Sequence, residues 1–345
     1  MQDAKTPITA KSAFQSLQAA GYPRNYVMKL LPEWWDNSLL KTSAGALQFA
    51  LILKQRLGLD VSFGQDGYLA IEPRAARASF KHRAGTHEDE LNVAAGLGIA
   101  LARLAVFATR ERYRELPATP TSIHDLVREC TGRACVDFHG LLDLCWMYGI
   151  PILFLNEMPR NTKRMTGMAV MVEGRPAILL GFKYVQHAKQ LFVLAHELAH
   201  ILCGHVQDNG ALIDEDMADV SGGLEGRSHV RRDEQEREAD AFALSLIRRG
   251  QTDIIKNMPR QFSATTLAAA AMKLGRSSGI DQGHIILSYG KEHDDWMWAN
   301  QAMNFIEQEI GAIDLLKDRF MRNTDLGAIS EEAAEHLLSM QGFAG

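Results

Sequence analysis

LFVLAHELAHILCGH, residues 191–205, sets His196 and His200 four residues apart around Glu197 and adds His205 five positions later. The stretch is apolar around its polar residues, as expected of a helix buried inside a core. On such a helix, residues i and i+4 share one face, so both imidazoles can direct a ring nitrogen to one Zn²⁺ at about 2.0–2.1 Å. Glu197 lies one step round from the first histidine. It stands beside the metal, where a carboxylate can take a proton from a metal-bound water and pass it to a leaving amine. The competing reading is two histidines and a glutamate satisfied within a helical core.

A catalytic zinc usually takes three protein ligands and keeps one open position. Three residues compete for the third place. Cys203 is seven residues beyond His196, roughly 10 Å along a helix axis, too far to bind with both histidines; it reads as a buried thiol. His205 invites comparison with the long motif H-E-x-x-H-x-x-G-x-x-H, but Gly204 falls one position late and His205 one early. It reads as a surface residue past the helix end, with a role beside a ligand or against substrate as the lesser alternative. The third candidate is in EREADAFALSL, residues 236–246. Glu236 and Asp240 are four apart on one face of a second helix, just before apolar positions that would pack on the first. Glu236 would complete a His₂Glu set, and Asp240 would accept a hydrogen bond from the far nitrogen of a ligand histidine, fixing its tautomer. Glu238 points to another side and is the weaker choice. A solvated acidic face beside Arg231, Arg232 and Arg237 is the plain alternative.

Around these two helices the chain alternates short helices with a few strands. SAFQSLQAAG (12–21) closes on a glycine, PRNYVMKLL (23–31) opens with Pro23 at a first helical position, and SAGALQFALILKQRLG (43–58) runs from a Thr42 or Ser43 cap to Gly58. LDVSFGQDGYLAIEP (59–73) suggests a hairpin or edge strand, and the pattern is helical from about Glu88 to Leu116. LPATPTS (116–122) reads as a linker. SIHDLVREC and DFHGLLDLCWMYG are helical, IPILFLN (150–156) has strand length, and GMAVMVEGRPAILLG (167–181) reads as two strands around Glu173 and Gly174. From His205 to about Arg232 no steady period holds, which predicts a loop gating a cleft. Beyond MPRQFS the chain is mostly helical, with GRSSGIDQGH (275–284) read as an ordinary turn in preference to a docking loop.

These segments and their order resemble the ImmA/IrrE family of bacterial zinc-dependent endopeptidases over roughly residues 119–255: GIPILFL, a hairpin, FVLAHELAHILCGH, then EREADAFALSLI. The resemblance implies zinc on His196, His200 and Glu236, with Glu197 as catalytic base. It also implies a cytoplasmic enzyme whose substrate is a helix-turn-helix repressor or an antitoxin, cut in a stress, mobile-element or defence response. One position departs: the family's second helix usually carries Asn where this chain has Asp240. The expected fold is α+β. A zinc peptidase domain (119–255), with a small sheet packed on the H-E-x-x-H helix and a second ligand helix, lies between mainly helical regions at 1–118 and 256–345.

The totals fit a soluble enzyme. The 345 residues are 46% hydrophobic and carry a net charge of −5, so there is no general attraction for nucleic acid or an anionic membrane. Four sparse cysteines read as reduced thiols, which together with the lack of a secretory signal points to the cytoplasm. VAAGLGIALARLAVFA (93–108) is short for a bilayer and carries Arg103, which costs roughly 2.5–3.5 kcal/mol in insertion, so it reads as a buried helix. RAARASFKHR (74–83) reads as a solvated basic segment. Trp34 and Trp35 read as core or partner-contact residues in preference to DNA readers. Two other functions compete with a peptidase: a DNA-binding regulator with a structural zinc site, and a partner-binding module with a silent one.

Overall fold

The two runs GMAVMV and RPAILL leave no polar face, the pattern of strands covered on both sides. The computed structural model describes residues 9–63, 69–73, 78–81, 91–160, 162–214, 234–256, 258–306 and 310–344. Its N-terminal part consists of α1 (Ala10–Ala19), α2 (Arg24–Leu30), α3 (Ser43–Leu57), β1 (Leu59–Phe63), β2 (Leu69–Pro73), β3 (Ala78–Lys81) and α4 (Asn92–Ala108). The middle comprises α5 (Pro120–Thr131), α6 (Phe138–Met147), β4 (Ile152–Phe154), β5 (Gly167–Val172), β6 (Arg175–Leu180), α7 (His187–Leu202), β7 (Ala211–Asp214) and α8 (Glu234–Ile247). The chain then continues through α9 (Ala264–Ser278), α10 (Gln282–Glu292), α11 (Trp296–Met303), α12 (Ala312–Asn323) and α13 (Glu331–Gln341).

β1 and β2 form the expected antiparallel pair, and the other strands make one sheet in the order β3-β7-β5-β6-β4. β5 and β6 are antiparallel around a tight turn in which Glu173 and Gly174 both have positive φ, 50° and 73°. Two loop side chains hold that turn. Asn209 Oδ1 accepts from the Glu173 N–H at 3.1 Å, and Asp208 Oδ1 accepts from the Gly174 N–H at 2.9 Å.

Helices cover both faces of this sheet. A Cβ on Gly98 of α4 would meet Met168 Sδ at 2.5 Å, whereas one on Gly167 would meet Glu197 Oε1 of α7 at 2.0 Å. Neighbouring residues of a strand face opposite ways, so α4 and α7 lie on opposite sides of β5. α4 is the segment that mimics a membrane span; it is buried along most of its length, and no described helix is long and apolar enough to cross a membrane. One hydrophobic core runs from α1 through the sheet and α7 to α12 and α13, and a smaller one joins α9, α10 and α11 to Ala188 of α7. The C-terminal helices finish the sheet edge at β4: Gln341 Oε1 accepts from the Phe154 N–H at 3.2 Å, and Met340 O accepts from Asn156 N at 3.1 Å and Glu157 N at 3.0 Å.

Most of the expected helix ends hold. Thr42 caps α3, which ends on left-handed Gly58, and the 275–284 break is a short turn from left-handed Gly279 to the Asp281 cap of α10. Pro23 is the N-cap of α2, one position earlier than expected, because its ψ of 143° is extended. Among the described residues, the helical stretch expected from Glu88 to Leu116 is α4 alone, and residues 110–118 are non-helical. Two strands were missed. β3 lies inside the basic segment and pairs in parallel with β7, which lies inside the expected 205–232 loop. Both are four residues long, too short for periodicity to mark. The rest of that loop from 215 on, including His229, Arg231 and Arg232, lies outside the described residues, as do 74–77 and 82–83 of the basic segment. Trp35 stacks on Phe49 at 5.1 Å in the core, and Trp34 Nε1 donates to Glu332 Oε1 at 3.0 Å.

His336 of α13 gives this architecture an acid-sensitive point. Burial first, and then the charge of Arg56, hold its imidazole down to about 4, against the ordinary 6.5. The folded state therefore prefers neutral His336, and its contribution is complete above pH 6.5 and lost as pH falls toward 4. His336→Leu should remove this dependence. Between pH 7 and pH 4 the parent is expected to lose up to roughly 3 kcal/mol more stability than the variant, at about 1.36 kcal/mol per pKa unit. Urea unfolding at the two pH values measures it.

Candidate metal centre

α7 has no side-chain cap, yet its start is tied to the segment between β6 and α7 by buried Gln190, whose amide donates to Phe182 O at 2.9 Å and Tyr184 O at 3.3 Å. The helix is buried along both apolar and polar positions: His196, Glu197 and His200 are each no more than 1% exposed. α8 packs along it and brings Glu236 and Asp240 to the two histidines, as their spacing predicts.

The distances define a converging set. His196 Nε2 and His200 Nε2 are 2.9 Å apart; one Glu236 oxygen lies 3.5 Å from the first and the other 3.4 Å from the second. Tetrahedral ligands at about 2.0–2.1 Å from a zinc ion stand about 3.3 Å from one another. The three side chains therefore fit a zinc ion. Asp240 Oδ1 is 3.0 Å from His196 Nδ1, the nitrogen that points away from the convergence.

His205 is not a surface residue. Its side chain is 5% exposed, and its Nδ1 lies 2.9 Å from His200 Nδ1 while its Nε2 lies 3.1 Å from Glu238 Oε2. The cause is how α7 ends. Gly204 adopts φ 74°, its N–H donates to Ile201 O at 3.1 Å, and the His205 N–H donates to His200 O at 2.9 Å. This is a Schellman turn, which folds the second residue past the cap back over the last helical turn. Gly204, four positions after His200, is the signal for this return, which comparison with a linear ligand motif does not use. Glu238, turned away from the Glu236 face, is the residue that meets His205. Cys203 is half-buried, its thiol raised by burial and then by the Glu238 charge. Tyr184, just before α7, stacks its ring on Phe182 at 5.5 Å.

Glu197 occupies a tight place. Its carboxylate lies against the Cα of Gly167, where a Cβ would fall 2.0 Å from Oε1 and 2.6 Å from Cδ. Gly167→Ala should therefore displace the carboxylate and leave the ligand helices intact. Zinc content is expected to be unchanged and turnover to fall on the order of 10²-fold or more, within the range of a lost general base. Zinc stoichiometry and kcat measured on one preparation check it.

A small sheet carrying an H-E-x-x-H helix, with a second helix supplying an acidic group, is the architecture of a metal-dependent peptidase. Residues 145–248 match the family described as IrrE N-terminal-like domain (Peptidase_M78), a family of zinc metallopeptidases, and the matched region contains α7 and α8 entire. No curated protein and no solved structure matches the chain.

Proposed function

We propose that the protein is a zinc-dependent endopeptidase that cuts an extended segment of a protein substrate, a helix-turn-helix repressor or an antitoxin, in a bacterial stress, mobile-element or defence response in the cytoplasm. The observation that carries the catalytic part is the convergence of His196, His200 and Glu236 at 2.9–3.5 Å inside a zinc-peptidase domain. The substrate class rests on the resemblance to ImmA/IrrE enzymes.

His196, His200 and Glu236 would hold the metal, and their single negative charge would leave a bound divalent ion net positive. Bound zinc supplies Lewis-acid polarisation of the scissile carbonyl and lowers the pKa of a water to about 7. Glu197 is placed to act as general base: its carboxylate would take a proton from the attacking water and deliver it to the leaving amine. Asp240 Oδ1 lies 3.0 Å from His196 Nδ1, within reach to accept a hydrogen bond from its N–H, which would keep the Nε2 lone pair available to the metal. His205 does the same for His200: Nδ1 of His205 accepts from Nδ1–H of His200, and Glu238 accepts from the opposite N–H of His205. Each ligand histidine thus has a partner that sets its tautomer.

The test is incubation of the zinc-loaded protein with a small helix-turn-helix protein encoded beside it. A single internal cut, seen by intact-mass spectrometry and abolished by chelation, is the expected result. No cut in any neighbouring regulator, with zinc bound, would refute the substrate class.

A further inference from the structure

A second group of ligand atoms lies against the Nδ1 edge of His200, away from Glu236. Cys203 Sγ, a His205 ring nitrogen and a Glu238 oxygen all fall within 4.8 Å of one another. The Schellman turn brings the first two together, and α8 supplies the third. Glu238 is 59% exposed, so an ion from solvent can reach the group while His205 anchors it from inside. His205 Nε2 and Glu238 Oε2 already stand 3.1 Å apart and no pair in the group exceeds 4.8 Å, against roughly 3.3–3.5 Å between zinc ligands, so binding needs only a modest adjustment. Glu238, long and exposed, can make that movement. The geometry points to a second metal site at Cys203, His205 and Glu238, separate from the peptidase centre, which takes a borderline divalent ion such as Zn²⁺ or Co²⁺. The thiolate disfavours Mg²⁺ and Ca²⁺, which require oxygen ligands.

The two sites share the His200–His205 contact, and it makes them antagonistic; this step rests on His200 binding the first metal through Nε2. His200 then carries its proton on Nδ1 and donates it to His205 Nδ1, so His205 carries its own proton on Nε2, facing Glu238. A metal on His205 Nε2 shifts that proton to Nδ1. Two N–H groups would face each other across 2.9 Å, and the hydrogen bond must break. Filling the second site therefore loosens His200 at the first, and by reciprocity a filled first site weakens the second. Excess zinc becomes an inhibitor.

The test is titration of the full-length apoprotein with Co²⁺ and Zn²⁺. Two equivalents are expected, the second bringing a thiolate-to-Co²⁺ charge-transfer band in the near ultraviolet. Cys203→Ser should bind one equivalent without that band, and Glu238→Gln, at an exposed position, should weaken the second at least about tenfold. Excess Zn²⁺ should lower the parent's peptidase rate about tenfold, within the usual range of site-to-site coupling, and leave Cys203→Ser unaffected. One equivalent in the parent, or two with no thiolate band, overturns the second site. His196→Ala separates the readings: it should abolish the thiolate-free equivalent and keep the band. Loss of the band in His196→Ala would place Cys203 in the first centre and overturn the proposal. A parent that shows the band but no thiolate-free equivalent refutes the peptidase centre alone and leaves this site standing.

Discussion

Glu197→Gln should retain a full equivalent of zinc at the peptidase centre and lose turnover by about 10²–10⁴-fold, the contribution of a positioned general base. The amide is nearly isosteric with the carboxylate, so the contact with Gly167 is kept. It has no basic oxygen with which to accept the proton of the attacking water. Zinc therefore separates this variant from one that merely misfolds, because the metal requires α7 and α8 to be packed correctly. Substrate affinity should change little, so the loss falls in kcat and leaves KM nearly constant. Parent-like cleavage by Glu197→Gln would remove Glu197 from the chemistry, whatever the metal does.

The contrast with Gly167→Ala is informative. That variant keeps the carboxylate and moves it, whereas Glu197→Gln keeps the position and removes the base. Equal losses in both would mean that placement matters as much as chemical identity. A large loss in Glu197→Gln with none in Gly167→Ala would mean that β5 yields and the carboxylate stays in place.

Helical periodicity served the sequence reading well where it applied. His196, His200, Glu236 and Asp240 are each paired by an i,i+4 spacing, and that spacing places both pairs on facing sides of α7 and α8. The strands of the β5–β6 hairpin were equally readable, because Glu173-Gly174 is a strong turn signal between apolar runs. What escaped depends on long-range pairing or on a local reversal. β7 consists of ALID next to the hairpin, and only its pairing with β5 and β3 makes it a strand. α4 was expected to be buried, but nothing in its composition says that it covers the sheet face opposite α7; that contact is seen in Gly98 against Met168 of β5 and Leu179 of β6. His205 escaped because register was judged along a straight helix, when Gly204 had already ended it. A motif that fails as a linear ligand pattern can still bring its histidine beside the site once the cap is folded.

Glu236→Ala should cost the peptidase centre most of its metal, since it removes the only charged ligand of the three. Two neutral imidazoles at 2.9 Å can hold a divalent ion, but without the carboxylate the ion keeps its full charge inside a buried pocket, where unpaired charge is heavily penalised. Metal affinity should fall well beyond the roughly 10–100-fold expected when an outer partner such as Asp240 is removed, and cleavage should disappear at any zinc concentration that does not saturate the site. Competition with a chromogenic chelator measures the affinities of Glu236→Ala, Asp240→Asn and parent on one scale. Glu236→Gln adds a finer comparison: its amide oxygen can still coordinate, so its affinity should fall between those of parent and Glu236→Ala. Parent-like zinc affinity in Glu236→Ala would show that the third ligand comes from elsewhere. An ordering in which Asp240→Asn loses more than Glu236→Ala would exchange their roles, making Asp240 the ligand and Glu236 the residue that orients a histidine.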